Sequence, residues 1–269
     1  VFFRFTVLEL CSSLCSDVQR MKEKKITNFK EKSKKIISDQ ILKKQVKILI
    51  ERVNVATKAM DKDFERNVID PFAYLFQTIL FKKKDHKDWK LSELSRQIEK
   101  AFSNALGEFH QNLLCSLNGC IRPVGGVDFM CEGKKIVAEI KNKHNSINFT
   151  SKAGSFDKIK YELSKSNRKD FKGYFVTIIP KKNNKNYEEV FTITKNKTKS
   201  EYRDSQENIF TISAENFYEK ITGKKDILKS IYQRLPEIFL SIDSNKYKNI
   251  NKINEEKFFN YYLLKALKD

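Results

Sequence analysis

Three ionisable residues, Asp128, Glu139 and Lys141, have the types and the spacing for hydrolytic chemistry at a phosphate. Glu139 and Lys141 end an apolar run, and Asp128 lies eleven residues before Glu139. Because side chains alternate faces along a strand, Glu139 and Lys141 project together while Ile140 packs into the core. If Asp128 lies on the partner strand of a hairpin, the two carboxylates converge and offer the hard oxygen ligands that Mg²⁺ prefers. A neighbouring lysine can position or deprotonate a water, which metal-assisted attack on a phosphodiester requires.

The Asp/Glu-x-Lys pattern has little specificity by itself in this chain. Only the occurrence at 139–141 ends an apolar strand and follows a Gly-Gly-x-Asp segment, and this context favours a catalytic site. The alternative is an edge strand that carries a solvent-exposed Glu–Lys pair. Six further occurrences fall in predicted turns or on solvated helices: Glu23/Lys25, Asp85/Lys87, Asp88/Lys90, Glu132/Lys134, Asp170/Lys172 and Glu255/Lys257.

The charge of the chain points to a polyanionic partner. There are 53 Lys and Arg residues against 34 Asp and Glu, a formal net charge of +19. Such a surplus indicates nucleic acid more often than any other partner, although a merely Lys-rich soluble protein is the alternative. Residues 20–47 hold eleven Lys and Arg and three acids, which is consistent with either a DNA-facing arm or a solvated helix face.

The residues that follow Lys141 are more polar than a core strand requires. They are Asn142, Lys143, His144 and Asn145. Such side chains suit contacts to phosphates or to base edges. The alternative is a hydrated loop.

Hydrophobic periodicity predicts the elements that position these residues. It predicts helices over 17–60, from Pro71 onward, over 92–117 with Ser92 as the cap, and over 156–166. Strands are predicted over 127–131 and 135–141, joined by an EGKK turn, and again in GYFVTIIP, VFTIT and IFTIS. From Ala214 the chain is predicted to be helical, with breaks near 222–223 and at Pro236, and to end in an amphipathic helix.

This order of elements predicts an α/β fold, a small mixed β-sheet flanked by helices, with helical additions at both ends. The predicted domains are a basic helical region over 1–60, a catalytic domain over 61–243 and a C-terminal helix over 244–269. The five cysteines are odd in number and form no CxxC pair, so buried thiols in a reducing cytoplasm are expected. The apolar beginning lacks a basic leader and contains Glu9, unlike a signal peptide, and no run is long enough to span a bilayer.

Asp128 followed by Glu139-Ile140-Lys141 resembles the PD-(D/E)xK nuclease signature. Further sequence words narrow the resemblance to type II restriction endonucleases that cut short interrupted sites of GG and CC. Those words are VIDPF at 68–72, GEFHQ at 107–111, EIKNKHN at 139–145, and FYEKITG at 217–223 with a following Leu-Pro at 235–236. The resemblance covers roughly residues 60–240.

The resemblance implies specific roles. Asp128 and Glu139 would hold Mg²⁺, Lys141 would serve the water, and Glu108 would be the further carboxylate that members of the superfamily often carry on the preceding helix. It also implies a double-stranded DNA substrate, a homodimer and a separate modification methyltransferase. The alternatives are a repair or junction-resolving nuclease on the same core, and a non-catalytic DNA-binding protein.

Overall fold

The computed structural model describes residues 36–64, 68–144, 148–181, 186–194 and 202–250, together with Tyr261 and Ala266. The helices are α1 (Asp39–Asp63), α2 (Pro71–Leu80), α3 (His86–Cys115), α4 (Phe149–Leu163), α5 (Ala214–Thr222) and α6 (Ile227–Ile242). The strands are β1 (Cys120–Ile121), β2 (Phe129–Cys131), β3 (Ile136–Lys143), β4 (Lys172–Ile179), β5 (Glu188–Thr194) and β6 (Tyr202–Ser213).

The strands form one mixed sheet in the order β1-β2-β3-β4-β6-β5. The pairs β1–β2, β2–β3 and β5–β6 are antiparallel, whereas β3–β4 and β4–β6 are parallel. Helix α4 supplies the crossover that the parallel neighbours β3 and β4 require. The predicted α/β fold with a small mixed sheet between helices is therefore confirmed.

Alternation along β3 builds a separate core on each face of the sheet. Ile136, Ala138 and Ile140 belong to the larger core, which also contains buried residues of α1, α3, α5 and α6. Val137 belongs to the smaller core beneath α4, and Glu139 follows it on the same face. One face of β3 is thus apolar as far as Ile140, while the other changes from apolar to charged at Glu139.

Helix α3 begins two turns earlier than the periodicity predicts. The Asp85 carboxylate caps it by accepting a hydrogen bond of 2.8 Å from the Asp88 N–H. Ser92 is not the cap: it lies inside the helix, where its hydroxyl donates to the Asp88 carbonyl. The added turns carry the buried Trp89, which packs edge-on against Tyr74 of α2. A tertiary contact, which periodicity does not report, therefore fixes this start.

Helix α4 also begins earlier than predicted, at Phe149 instead of 156. The Asn148 side chain caps it by accepting a hydrogen bond of 2.7 Å from the Ser151 N–H. This earlier start brings Ser155 into the helix and onto its buried side.

Helix α6 continues through Pro236, where the sequence predicts a break. Proline lacks the backbone N–H and usually kinks or ends a helix. Here Ile231 before it and Ile238 after it are both buried in the larger core, so packing on either side of Pro236 holds the helix together. The other predicted break is confirmed, because α5 ends at Thr222 and Gly223 adopts a φ of 72°.

A buried guanidinium joins α1 to α6. Arg234 donates to the Ile37 carbonyl and to the Asp39 carboxylate, each at 2.9 Å. Ile37 and Leu42 are buried in the larger core.

The division into domains at 60 and 243 stays a prediction. Residues 1–35 and most of 251–269 lie outside the described residues, and with them much of the predicted basic arm and the C-terminal helix.

The three described cysteines, Cys115, Cys120 and Cys131, carry free thiols, as predicted. Burial raises the pKa of Cys115 and of Cys120 to about 12. The Cys115 thiol donates to the Asp128 carbonyl at 3.5 Å.

Among the described helices, none has the length and apolar character needed to cross a membrane.

Close packing of α4 on β4 depends on the absence of a side chain at Gly173. A Cβ atom there would lie 2.2 Å from Ile159 Cγ2 and 3.1 Å from Leu163 Cδ1. We expect Gly173→Ala to lower the free energy of unfolding by about 1–3 kcal/mol, because α4 must move away from the sheet. Urea denaturation with an unchanged m-value measures this difference.

Gly154→Ala is the matched control for that prediction. Gly154 is an exposed residue within α4, and a Cβ there would meet nothing within 4 Å. Alanine in a helix interior is favoured over glycine by roughly 0.5–1 kcal/mol, so this variant should be stabilised. Equal stabilities for the two variants would contradict the tight α4–β4 contact.

Candidate active site

The β2–β3 hairpin brings Asp128 and Glu139 together. Its register pairs Phe129 with Ala138, and one step further along the ladder Asp128 faces Glu139. The Asp128 carboxylate accepts a hydrogen bond of 2.9 Å from the Ile140 N–H. The backbone of β3 therefore fixes one carboxylate beside the other, as the sequence predicts.

Glu139 lies almost wholly inside the protein, with its side chain only 1% exposed. Its Oε2 atom lies 3.3 Å from Lys141 Nζ and accepts a hydrogen bond of 3.4 Å from the Ser155 hydroxyl. Its Oε1 atom is buried and has no hydrogen-bond partner among the described residues. The ammonium of Lys158 lies 3.6 Å from Oε1. Two lysines, one from the strand and one from α4, thus flank a buried carboxylate.

The surroundings raise the pKa of Glu139 above its ordinary value of 4.5. Burial has the largest effect, because removal from water disfavours the charged form, and the negative charge of Asp128 adds to it. The ammonium groups of Lys141 and Lys158 act in the opposite direction without cancelling the shift. Positive charge at this point would therefore stabilise the ionised pair of carboxylates.

A two-glycine turn delivers Asp128 to the site. Gly125 and Gly126 have φ angles of 72° and 79°, in the left-handed region that favours glycine. A Cβ atom on Gly126 would lie 2.5 Å from Glu162 Oε1, so this turn packs directly on a buried carboxylate of α4. Glu162 is held by ion pairs with Lys165 and Arg168. Helix α4 thus supports the site from two sides, through Glu139 and through the turn.

Glu108 lies on α3, as predicted, and is engaged by two arginines. It forms a hydrogen-bonded ion pair with Arg52 of α1 and lies 3.6 Å from Arg122, just after β1. Within the described part of the chain no group of three or more Asp, Glu, His or Cys side chains is arranged to hold a metal ion. The structure therefore does not bring Glu108 into a three-carboxylate cluster with Asp128 and Glu139, and its catalytic role stays a prediction.

The four polar residues after Lys141 do not share one environment. Lys143 falls on the same face of β3 as Glu139 and Lys141, whereas Asn142 falls on the opposite face. Both Asn142 and Lys143 nevertheless border one apolar cavity of about 290 Å³, beside His110. His144 is exposed just beyond the strand, and Asn145 lies outside the described residues.

His110 is a neutral residue of that cavity. Burial lowers its pKa to about 4, and its Nδ1 atom has no hydrogen-bond partner within the described residues.

Sequence reasoning missed Ser155 and Lys158. Both lie on α4, three residues apart and so on one side of the helix, and both approach the Glu139 carboxylate. The predicted helix began at 156 and left Ser155 out. The sequence did offer a signal: Ser155 and Glu162 fall at helical spacing beside the apolar Phe156, Ile159 and Leu163. Polar residues on the core-facing side of a helix need polar partners.

Comparison with known proteins gives consistent matches over most of the chain. The family model described as Eco47II restriction endonuclease matches residues 35–244. The type II restriction enzyme Eco47II of Escherichia coli is 36% identical over 204 residues, which cover 74% of this chain and 84% of that enzyme. The type II restriction enzyme Sau96I of Staphylococcus aureus is 31% identical over 205 residues, 74% of this chain and 77% of that enzyme.

Removal of the buried charge at Glu139 should stabilise the metal-free protein. Because the pKa of Glu139 is raised in the folded state, the folded chain binds a proton more readily than the unfolded chain, and stability falls as pH rises past the ordinary value of 4.5. We expect Glu139→Gln to have a higher free energy of unfolding than the wild type at neutral pH. The gain should disappear below about pH 4, where Glu139 of the wild type is protonated in both the folded and the unfolded state.

Urea denaturation in a buffer with a metal chelator, at several pH values, measures this effect. Glu132→Gln is the control, because Glu132 is exposed in the turn of the same hairpin. A stabilisation that does not depend on pH, or a destabilisation at neutral pH, would contradict the electrostatic account.

Proposed function

Because the chain belongs to the Eco47II restriction endonuclease family, and is thus a type II restriction endonuclease, we propose that it hydrolyses double-stranded DNA with a divalent cation, Mg²⁺, held by Asp128 and Glu139. One observation carries the assignment of these residues. The Ile140 N–H holds the Asp128 carboxylate beside a buried Glu139, and Lys141 Nζ lies 3.3 Å from that second carboxylate.

The donor atoms at this site fit Mg²⁺. Asp128 and Glu139 offer oxygen alone, and proteins commonly bind Mg²⁺ through one or two carboxylates, with water and substrate phosphate as the other ligands. Glu139 Oε1, which accepts no hydrogen bond from the described residues, is a suitable ligand atom. When bound, Mg²⁺ would neutralise charge on the scissile phosphate and lower the pKa of a water molecule.

The two lysines take different roles in this proposal. Lys141 shares the strand face of Glu139 and is partly exposed, so its ammonium reaches both the carboxylate and solvent. We assign it to hold the attacking water and, after its ammonium has released a proton to solvent, to take a proton from that water as the neutral amine. Lys158 comes from α4 and is more than half exposed. Its ammonium suits the negative charge that develops on the phosphate during attack.

The DNA contacts are assigned to the end of β3. Lys143 lies on the strand face of Glu139 and suits a phosphate, and His144 at the tip suits a base edge. Asn142 and Asn145 complete the proposed set. The recognition sequence in the DNA would be a short interrupted site of GG and CC. Its two-fold symmetry is naturally read by a homodimer. We further propose that a separate methyltransferase modifies the same DNA site and that the enzyme acts in the cytoplasm.

Removal of any one of the three catalytic side chains should abolish cleavage and leave binding intact. We expect Asp128→Ala, Glu139→Ala and Lys141→Ala to lower the cleavage rate by at least about 100-fold, because each removes a metal ligand or the group that serves the water. Plasmid digestion with Mg²⁺ measures the rate, and a gel-shift assay with Ca²⁺ in place of Mg²⁺ measures binding.

Glu132→Ala and Lys134→Ala are matched controls, since they change a Glu-x-Lys pattern in the exposed turn of the same hairpin. Both should cut like the wild type. A near wild-type rate for one of the three catalytic variants would remove that residue from the mechanism. Discrete fragments from plasmid DNA would support a site-specific enzyme, whereas preference for branched or damaged DNA would indicate a repair or junction-resolving nuclease. Binding of DNA without any cleavage in Mg²⁺ would instead indicate a non-catalytic DNA-binding protein.

His144 and Lys143 should differ in their effect on specificity. If His144 reads a base, His144→Ala should cost about 1–3 kcal/mol on the cognate site and much less on other DNA. Lys143→Ala should weaken binding to all sequences alike and flatten the log–log salt dependence by roughly 0.9, the value for one lost phosphate contact. Titrations in Ca²⁺ at several salt concentrations measure both quantities, and equal loss on cognate and other DNA for His144→Ala would exclude base reading.

A further inference from the structure

Helix α2 carries its apolar stripe on the side that faces away from the rest of the chain. Phe72, Leu75, Phe76, Ile79 and Leu80 are between 52% and 70% exposed. Their spacing of i, i+3, i+4, i+7 and i+8 is that of the core-facing stripe of an amphipathic helix. In α2 this stripe faces solvent, and none of the ten helical residues is buried.

The opposite side of α2, which packs on α3, is the more polar one. Tyr74 stacks edge-on against Trp89, with ring centroids 4.8 Å apart. The Gln77 side-chain carbonyl accepts a hydrogen bond of 2.9 Å from the Trp89 indole N–H. These polar contacts fix the rotation of α2 about its axis, so the apolar stripe cannot turn inward without breaking them. The orientation of the stripe is therefore a defined property of the fold.

The exposed area is large for a surface that stays in water. Phe81 extends the stripe at the end of the helix and is 66% exposed. An aromatic side chain covers about 150–250 Å² in all, so the three Phe residues alone present on the order of 300 Å². With the aliphatic members the patch reaches roughly 600 Å², the upper end of the range for the largest apolar patch on a typical monomer. It is of the same order as the roughly 800 Å² that each partner contributes to a standard interface.

The charge pattern decides between partners. The segment 71–81, PFAYLFQTILF, holds no charged residue, although the chain as a whole carries +19. A DNA backbone would find no cation on this stripe. Two copies of a strongly basic chain repel each other over most of their surfaces, and an uncharged apolar helix is where they can meet at low electrostatic cost.

We propose that this face of α2 is the contact between two copies of the chain, packed as antiparallel α2 helices about a two-fold axis. A stripe at i, i+3, i+4 and i+7 packs ridges into the grooves of an identical stripe, and a two-fold axis makes the contact self-complementary. Phe76, at the centre of the stripe, would then lie next to Phe76 of the second copy. The proposal rests on the homodimer proposed above and assigns its contact surface. Because the contact would form without DNA or metal, its failure would leave the assignment of the catalytic residues unaffected.

Sedimentation of the full-length chain without DNA tests this contact. The wild type should be a dimer at micromolar concentration, and Ile79→Glu should raise the dimer dissociation constant at least tenfold, because two carboxylates would be buried in the contact. Val55→Glu is the matched control: Val55 lies on α1 and is 62% exposed, against 63% for Ile79. It should leave the dimer unchanged. Circular dichroism and thermal melting should show that both variants fold like the wild type.

A second variant tests the geometry itself. Phe76→Cys should form a disulfide between two copies under mild oxidation, and Val55→Cys should not. A monomeric wild type, or an Ile79→Glu dimer as tight as that of the wild type together with no cross-link at Phe76→Cys, would overturn the proposal. A monomeric wild type that binds vesicles of phosphatidylcholine and phosphatidylglycerol through α2, with loss of binding in Ile79→Glu, would overturn it in favour of a lipid surface.

Discussion

The carboxylate of Glu139 is held inside the protein, and much of the surrounding structure is arranged to make that burial tolerable. A buried charge is costly unless it is paired and hydrogen-bonded. Lys141, Ser155 and Lys158 provide partners from β3 and α4, yet burial and the nearby Asp128 still raise its pKa. Positive charge beside this pair would reduce the electrostatic cost of its burial, and the metal-free protein bears that cost as lower stability.

Rigid elements hold the groups around Glu139 in place. The β2–β3 register and the Ile140 N–H fix Asp128. The turn at Gly125 and Gly126 rests on Glu162 of α4, and α4 in turn packs on the sheet over Gly173. Because the same helix contacts Glu139, the turn before Asp128 and the strand beneath, a shift of α4 would disturb the surroundings of both carboxylates. Sites on packed strands and helices keep their geometry better than sites on loops.

Local pattern was sufficient for the strand that carries the site and insufficient for what approaches it through space. Alternation along β3 separated Ile140 from Glu139 and Lys141, because a period of two determines the face of each side chain. Ser155 and Lys158 come from another element, and Glu108 meets arginines from α1 and from beyond β1, so neither arrangement is encoded in a local window. The predicted starts of α3 and α4 and the predicted break at Pro236 were wrong for a related reason. Capping side chains and packing against the core override periodicity at these points.

The thiol of Cys115 lies against the strand that carries Asp128, which gives it a use in experiments on this protein. It contacts the Asp128 carbonyl, and burial raises its pKa to about 12. At neutral pH almost none of it is thiolate, the form that reacts with alkylating reagents. Alkylation of the partly exposed Cys115 should therefore be slow in the closed structure and faster when the segment around β2 opens. The rate of its modification would then report opening between α3 and the hairpin that brings Asp128 and Glu139 together, with a native residue as the probe and without substrate.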